Sequence, residues 1–201
     1  MENGSYEQQN TPQSVSIVGK RSLEFVADAI YRGNIVRLNS LDYYGKYILF
    51  FFYSADFSVI CPTEMHALQD ALPEFQKRNV EVVGVSVDPI QTHRAWLATP
   101  RSQGGIEGIT FTLISDVQKQ ISRAYRILNE EKGYCLRGTF IVDKLGIVQY
   151  GAVNTFEIGR NITELLRIVD AIQFVEVHGE LCPVDWQAGQ SGINITKTTE
   201  G

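Results

Sequence analysis

Cys61 stands where the chain turns from an apolar strand into a helix, and this position favours chemistry at sulfur. The first backbone N–H groups of a helix have no carbonyl partner and the peptide dipoles leave positive charge there, so an anion is stabilised. A thiol, whose pKa is ordinarily about 8.5, ionises more readily at such a place and becomes a nucleophile. Pro62 suits a helix start, because proline is tolerated in the first turn. The alternative is an inert buried cysteine, and Cys61 alone leaves both interpretations open.

The elements around Cys61 alternate between strand and helix. The apolar run 47–53 predicts a central strand buried on both faces, and apolar residues at helical spacing predict a helix that begins at Cys61. Further strands are predicted at 80–87, 111–114, 138–142 and 147–150, and further helices at 89–96, at 117–125 and from 162 onward. This order specifies a mixed sheet covered by helices on both faces, which is the layout of a thioredoxin-like α/β fold.

Composition and charge restrict the possible partners. The 201 residues carry a net charge of −5 with dispersed Lys and Arg, which argues against binding to nucleic acid. No apolar run approaches the roughly 20 residues that cross a bilayer, and residues 1–10 resemble no secretion signal. We therefore expect a cytoplasmic protein without membrane contact. Three cysteines, an odd number, argue against a structural disulfide framework and for catalytic or incidental thiols.

Three segments are expected along the chain. Residues 1–14 are polar and predict a flexible N-terminal tail, and residues 15–177 hold the alternating strands and helices of the thioredoxin-like domain. Residues 178–201 are punctuated by glycine and proline and predict a C-terminal arm that carries Cys182. The apolar pattern offers this arm no place in the core.

Histidines near two of the cysteines raise the alternative of a metal site. His66 follows Cys61 by five residues, and His178 precedes Cys182 by four. Structural zinc sites draw four closely spaced Cys and His ligands, and here the candidates are scattered, so no metal is expected. Cys135 is interpreted as a small buried hydrophobic residue, the alternative being a third redox role.

Five motifs in one order carry a resemblance to a known family. They are DFSVICPTE at 56–64, WLATP at 96–100, GGIEG at 104–108, RGTFIVD at 137–143 and HGELCP at 178–183. Over most of residues 15–190 the chain resembles the typical two-cysteine peroxiredoxins, the group that includes the alkyl hydroperoxide reductase C subunits and thioredoxin peroxidases. The resemblance implies a thiol-dependent peroxidase that reduces hydrogen peroxide and alkyl hydroperoxides in antioxidant defence without a cofactor.

The resemblance assigns roles to two cysteines. It implies that Cys61 is the peroxidatic cysteine, which peroxide oxidises to a sulfenic acid, and that Cys182 is the resolving cysteine. Together they form an intersubunit disulfide in a homodimer, and such dimers assemble into a decameric ring. The implied electron donor is a dithiol protein, either a thioredoxin-like protein or a flavoprotein disulfide reductase, because the chain has no Cys-x-x-Cys of its own.

Peroxide cleavage also requires hydrogen-bond donors on both oxygens, because the leaving oxygen carries negative charge. Ser58, three residues before the cysteine, has a hydroxyl within reach of a bound peroxide. By resemblance, Arg137 lies beside the thiolate, lowers its pKa and polarises the peroxide, and Glu64 aims that arginine. Arg160 joins the same substrate-binding network as its family counterpart does.

Two positions depart from the family pattern, and two other functions remain open. Ser54 stands where the family usually has proline, a rigid group that shields the thiolate, and Ser58 replaces threonine but keeps the hydroxyl. A holdase chaperone or redox-relay sensor would use the same thiols as a switch. A binding module with a thioredoxin-like fold would carry them incidentally.

Overall fold

A seven-stranded mixed sheet forms the centre of the structure, a computed structural model in which residues 16–195 are described. Its strands are β1 (Val26–Tyr31), β2 (Asn34–Asn39), β3 (Tyr47–Phe52), β4 (Val80–Ser86), β5 (Thr112–Ser115), β8 (Arg137–Val142) and β9 (Val148–Asn154). They lie in the order β2-β1-β5-β4-β3-β8-β9, with β3, β4 and β5 parallel and the other neighbours antiparallel. Two short strands, β6 (Leu128–Asn129) and β7 (Tyr134–Cys135), pair separately. The predicted tail, residues 1–14, lies outside the described residues.

Helices cover both faces of this sheet, which confirms the predicted α/β architecture. Within residues 16–195 the α-helices are α1 (Cys61–Lys77), α2 (Ile90–Ala98), α3 (Gln120–Ala124) and α4 (Ile162–His178), with short 3-10 turns at Ser40–Tyr43 and Arg101–Gln103. Apolar residues of α1 and α4 pack on one face, and those of α3 pack on the other. None of the helices in this part of the chain has the length and apolar character required to cross a bilayer.

Strand β3 explains the long apolar run before Cys61. Successive side chains of a strand point to opposite faces of the sheet. Tyr47, Leu49 and Phe51 join the cluster beneath α1 and α4, and Ile48, Phe50 and Phe52 join the cluster beneath α3. Because both faces are covered, all six positions are buried, as the sequence predicts. The strand thus brings the chain through the middle of the core to the loop before Cys61.

Two strands precede those that the sequence predicts. Strands β1 and β2 form a hairpin whose turn residues, Arg32 and Gly33, have φ values of 49° and 78°. Two-residue hairpin turns require such positive φ values, which glycine adopts without strain. Half of the β1 side chains are exposed, so the strand has a weak apolar signal. In the sequence, the Arg-Gly pair between two short apolar runs is the available indication of this hairpin.

Two predicted helices have different limits in the structure. Helix α3 covers only Gln120–Ala124 of the predicted 117–125, because Lys119 takes a left-handed φ of 59°. The Asp116 carboxylate accepts hydrogen bonds from the N–H groups of Ile121 and Ser122 and so caps this shorter helix. Helix α4 begins as predicted behind Asn161 but runs on to His178, beyond the point where its apolar pattern weakens.

The segment after α4 folds back on that helix. Leu181 and Ile193 pair as an antiparallel bridge. Between them, Trp186 is 2% exposed and packs its ring 4.8 Å from that of Phe174 in α4. Arg167 of α4 donates a hydrogen bond to the Trp186 carbonyl at 3.0 Å. The described part of the arm is therefore packed more closely than the sequence predicts, with one tryptophan as its anchor.

Candidate active site

Cys61 is the first residue of α1 and has no exposed surface. The Ile60 carbonyl accepts hydrogen bonds from the N–H groups of Thr63 at 3.0 Å and Glu64 at 3.3 Å, which closes the first turn. Pro62 lies in that turn without disturbing it. The thiol therefore lies at the positively polarised end of a 17-residue helix.

A buried polar network holds the loop between β3 and α1. The Tyr53 hydroxyl donates to Asp56 Oδ1 at 2.8 Å, and Asp56 Oδ2 lies 2.7 Å from His93 Nδ1 of α2. The Asp56 N–H donates to Asp88 Oδ2 at 3.0 Å, just after β4. Phe57 follows with a left-handed φ of 56°. These contacts fix the path that leads to Ser58 and Cys61.

Polar groups from three positions act on the Cys61 sulfur. Arg137 Nη1 donates to Sγ at 3.3 Å, and Ser54 Oγ lies 3.5 Å from Sγ. Burial by itself raises the pKa of the Cys61 thiol. The hydroxyls of Ser54 and Ser58 and the charge of Arg137 outweigh burial, so the pKa lies below its ordinary value. At a given pH, Cys61 is therefore a thiolate in a larger fraction of the molecules than an ordinary cysteine is.

Arg137, the first residue of β8, is held with its guanidinium at the sulfur. Its side chain is 1% exposed. Nε donates to the Phe156 carbonyl at 2.7 Å, and Nη1 donates to Glu64 Oε2 at 2.8 Å in addition to Cys61 Sγ. Since a guanidinium is a rigid planar fork, these bonds determine where its remaining nitrogen lies.

The Glu64 carboxylate is shared by two buried arginines. Arg160 Nη2 donates at 2.9 Å to Oε2, the oxygen that also accepts from Arg137, and Arg160 Nε donates to Oε1 at 3.0 Å. Arg160 Nη1 donates to the carbonyls of Phe52 and Gly138, both at 2.8 Å. Buried charges are tolerated when they are paired. Two cations and one carboxylate leave a positive charge, which a Cys61 thiolate neutralises.

Two buried side-chain atoms of this pocket lack a hydrogen-bond partner among residues 16–195. They are Ser58 Oγ and Arg137 Nη2. Buried polar atoms in folded proteins are nearly always paired, so each of these has unused capacity. A hydroxyl and a cationic N–H beside a thiolate offer hydrogen bonds to a small polar molecule. The pocket thus combines a nucleophile with free donors.

Comparison with known proteins identifies the family. The model of the AhpC/TSA family matches residues 18–151, and the model of the C-terminal domain of 1-Cys peroxiredoxin matches residues 171–200. This chain belongs to the AhpC/TSA family. It is a peroxiredoxin, and the segment matched by the second model contains Cys182.

Relatives of this peroxiredoxin are similar over most of the chain. The chloroplastic 2-Cys peroxiredoxin BAS1 of Hordeum vulgare is 40% identical over 178 residues, which are 88% of this chain and 85% of that protein. The mitochondrial thioredoxin-dependent peroxide reductase of Mus musculus is 48% identical over 174 residues, 87% of this chain and 68% of that protein. The reduced 2-Cys peroxiredoxin of Plasmodium vivax, a crystal structure, gives a TM-score of 0.85 at 43% identity and covers 88% of this chain and 92% of its own. The thioredoxin-like fold is thereby confirmed.

The other two cysteines of this peroxiredoxin lie in different surroundings. Cys182 is half-buried in the arm, where its Sγ contacts the Ala171 carbonyl at 3.7 Å, and burial raises its pKa. Cys135 of β7 is buried with its Sγ 3.0 Å from Ser122 Oγ, and burial raises its pKa to about 12. All three cysteines are free thiols, and the structure joins neither of these two to Cys61.

The histidines considered as metal ligands have other contacts. His66 Nε2 lies 3.1 Å from the Gly105 carbonyl, which connects α1 to the GGIEG motif. The ring of His178 packs 4.5 Å from that of Phe174. Between residues 16 and 195, no group of three or more His, Cys, Asp or Glu side chains is arranged to hold a metal ion.

Two contributors to the pocket are not predicted from the sequence. The Phe156 carbonyl orients Arg137, and no sequence pattern indicates a backbone contact of this kind. Ser54 is treated only as a missing proline, yet its hydroxyl reaches the Cys61 sulfur. The available indication is the spacing of two serines, at seven and three residues before the cysteine.

Proposed function

We propose that this peroxiredoxin reduces hydrogen peroxide and alkyl hydroperoxides through attack by the Cys61 thiolate. The observation that supports this most directly is the pair of unpartnered atoms, Ser58 Oγ and Arg137 Nη2, beside a sulfur whose pKa is lowered. The relative named as a thioredoxin-dependent peroxide reductase supports the same activity. Nothing observed in residues 16–195 favours a chaperone or an incidental binding module.

In the proposed reaction, the Cys61 thiolate attacks one peroxide oxygen and the O–O bond breaks. The second oxygen leaves with the bonding electron pair and takes up a proton, which yields water or an alcohol. Cys61 becomes a sulfenic acid. Ser58 Oγ and Arg137 Nη2 bond the peroxide oxygens and stabilise the charge that develops on the leaving oxygen.

Glu64 and Arg160 have positioning roles in this proposal. Nε, Nη1 and Nη2 of Arg160 each already bond a protein group, so this arginine acts on peroxide through the carboxylate and not by direct contact. Glu64 takes one bond from Arg137 Nη1, and Arg137 Nη2, which bonds nothing in the described chain, remains for the substrate. The network keeps the donors in place before peroxide arrives, which is how preorganised sites lower a barrier.

We further propose that Cys182 of a second chain resolves the sulfenic acid. Its thiol condenses with the oxidised Cys61, a disulfide forms and water leaves. Cys61 is enclosed in the first turn of α1 and Cys182 contacts Ala171, so that turn must unwind and the segment that carries Cys182 must detach from α4. A thioredoxin-like protein or a flavoprotein disulfide reductase then restores both thiols by exchange.

We also propose a homodimer that assembles into a decameric ring in the cytoplasm. Strand β9 is an edge strand of the sheet, and at its first residue, Val148, the outer backbone groups pair with Gly19 and Lys20. The rest of this edge could pair with a second copy, and Val153 on it is 49% exposed. Free thiols suit a reducing compartment. Two relatives are named as chloroplastic and mitochondrial forms, so the compartment needs its own test with a fluorescent fusion. Light scattering on reduced and oxidised protein tests the assembly.

The decisive experiment mixes the reduced protein with one equivalent of hydrogen peroxide and runs a non-reducing gel. We expect rapid peroxide consumption and a covalent dimer. Cys61→Ser abolishes both, whereas Cys182→Ser consumes peroxide, accumulates sulfenic acid and forms no dimer. Cys135→Ser, the matched control, behaves like the parent. Peroxide consumption that survives Cys61→Ser contradicts the proposal.

A further inference from the structure

The two serine hydroxyls near the Cys61 sulfur are in different states. Ser54, just after β3, is 1% exposed and places Oγ 3.5 Å from Sγ, which is within hydrogen-bonding distance for sulfur. Ser58 Oγ is also buried and forms no hydrogen bond of normal geometry in the described chain, although its hydroxyl, like that of Ser54, lowers the pKa of the Cys61 thiol. The Ser54 hydroxyl therefore has a geometric hydrogen bond to the sulfur, whereas the Ser58 hydroxyl still has capacity for a bound molecule.

Charge determines the direction of the bond between Ser54 and Cys61. A thiolate has no proton and only accepts, whereas a serine hydroxyl has one proton to donate. Arg137 Nη1 donates to the same sulfur at 3.3 Å, so a neutral and a charged donor converge on it. Burial raises the pKa of the Cys61 thiol, and among the groups that oppose burial the Ser54 hydroxyl has the largest effect.

We propose that Ser54 is a catalytic residue of this protein, whose hydroxyl donates a hydrogen bond to the Cys61 thiolate. This inference rests on the proposed function and assigns separate roles to the hydrogen-bond donors of the site. Ser54 and Arg137 Nη1 stabilise the nucleophile, which leaves Ser58 Oγ and Arg137 Nη2 for the peroxide. A proline at position 54, usual in the family, has no hydroxyl and can shield the sulfur only by its ring.

The test titrates the Cys61 thiol by the ultraviolet absorbance of its thiolate in a Cys182→Ser background. Cys135 does not interfere, because its pKa is about 12. Ser54→Ala and Ser54→Pro should each raise the pKa of Cys61 by about one unit, because each loses a hydrogen bond to a charged group. At a pH well below the pKa, this shift leaves about tenfold less thiolate. Ser54→Thr keeps the hydroxyl and should titrate like the parent.

Ser115→Ala is the matched control, because its buried hydroxyl donates to the Asp88 carbonyl at 2.6 Å and not to the sulfur. It should leave the titration unchanged, and Cys61→Ser supplies the blank. A folded Ser54→Ala variant with the parent pKa overturns the proposal, and so does a threonine variant that matches alanine. If Ser54→Ala does not fold, the difference between Ser54→Pro and Ser54→Thr decides, and equal pKa values reject the proposal.

The titration uses no peroxide, so the two proposals fail separately. A shifted Cys61 pKa in a protein that does not consume peroxide contradicts the proposed function and retains the role of Ser54. Peroxide consumption that depends on Cys61, with a titration that Ser54→Ala leaves unchanged, does the reverse.

Discussion

Cys61 and Cys135 are both fully buried, and each sulfur has a serine hydroxyl within hydrogen-bonding distance. Ser54 Oγ lies 3.5 Å from Cys61, and Ser122 Oγ lies 3.0 Å from Cys135. The pKa of Cys61 is nevertheless below its ordinary value, whereas burial raises that of Cys135 to about 12. A buried thiol beside a hydroxyl is therefore not reactive for that reason alone.

The charges around the two hydroxyls differ. Ser122 donates its proton to Asp116 Oδ2 at 2.6 Å. Burial is the largest cause of the raised pKa of Cys135, and the Asp116 charge raises it further. Cys61 instead has the Arg137 guanidinium at 3.3 Å. A thiolate forms where burial has already enclosed an excess of positive charge, and it is suppressed where a carboxylate is nearby.

The largest expected effect comes from Glu64→Ala, which removes the carboxylate that permits two buried arginines beside Cys61. The free energy of unfolding should fall by about 3–5 kcal/mol, because a buried charge without its partner is strongly destabilising. Urea denaturation measures the loss. Glu74→Ala, which removes a half-exposed partner of Lys77 and Arg78, should change stability little. Equal losses in both variants would show that the pocket does not need its internal charge balance.

Arg137→Gln should make the electrostatic surroundings of Cys61 most similar to those of Cys135. Without the guanidinium the thiol pKa rises and a peroxide donor is lost, so the rate of peroxide consumption should fall by about a hundredfold. Stopped-flow measurement gives this rate. Arg123→Gln, at an exposed arginine paired with Glu130, is the control and should keep the parent rate. A variant of Arg137 that remains as fast as this control refutes the electrostatic account.

The rate of peroxide consumption should also depend on pH, because it follows the ionisation of Cys61. Because the folded pKa of Cys61 lies below the ordinary value of a thiol, the peroxide rate should still be high at pH values below that ordinary value and be lost as pH falls through the folded pKa. The thiolate's contribution to stability has the same sign: it is present above the unfolded value and lost on acidification. A rate that reaches half its maximum only above pH 9.0 contradicts the lowered pKa.

Cys135→Ala should have the smallest effect. The rate of peroxide consumption should be unchanged, and unfolding should require about 1 kcal/mol less, as for a small deletion in a packed core. Single-turnover kinetics and thermal unfolding measure the two quantities. A slower peroxide reaction in this variant would assign Cys135 a redox role and remove the contrast with Cys61.

Short-range patterns in the sequence are enough for several elements of the fold. The apolar run of β3, the helix start at Cys61 and the Asn161 cap of α4 depend on neighbours in the chain, and the structure agrees with them. The β1–β2 hairpin is missed because half of β1 is exposed, and the packing of the arm depends on a single side chain, Trp186. Weak or solitary signals of this kind do not predict an element by themselves.

The composition of the candidate site depends on contacts that are distant in sequence. The motifs point to Cys61, and only the resemblance to a family points to Arg137, which lies 76 residues further along the chain. Which nitrogen of that arginine is free, and which serine holds the sulfur, follow from strands and helices packed together. A thiol pKa is the balance of burial, hydrogen bonds and charge at one point in space, and only the folded chain brings those groups to that point.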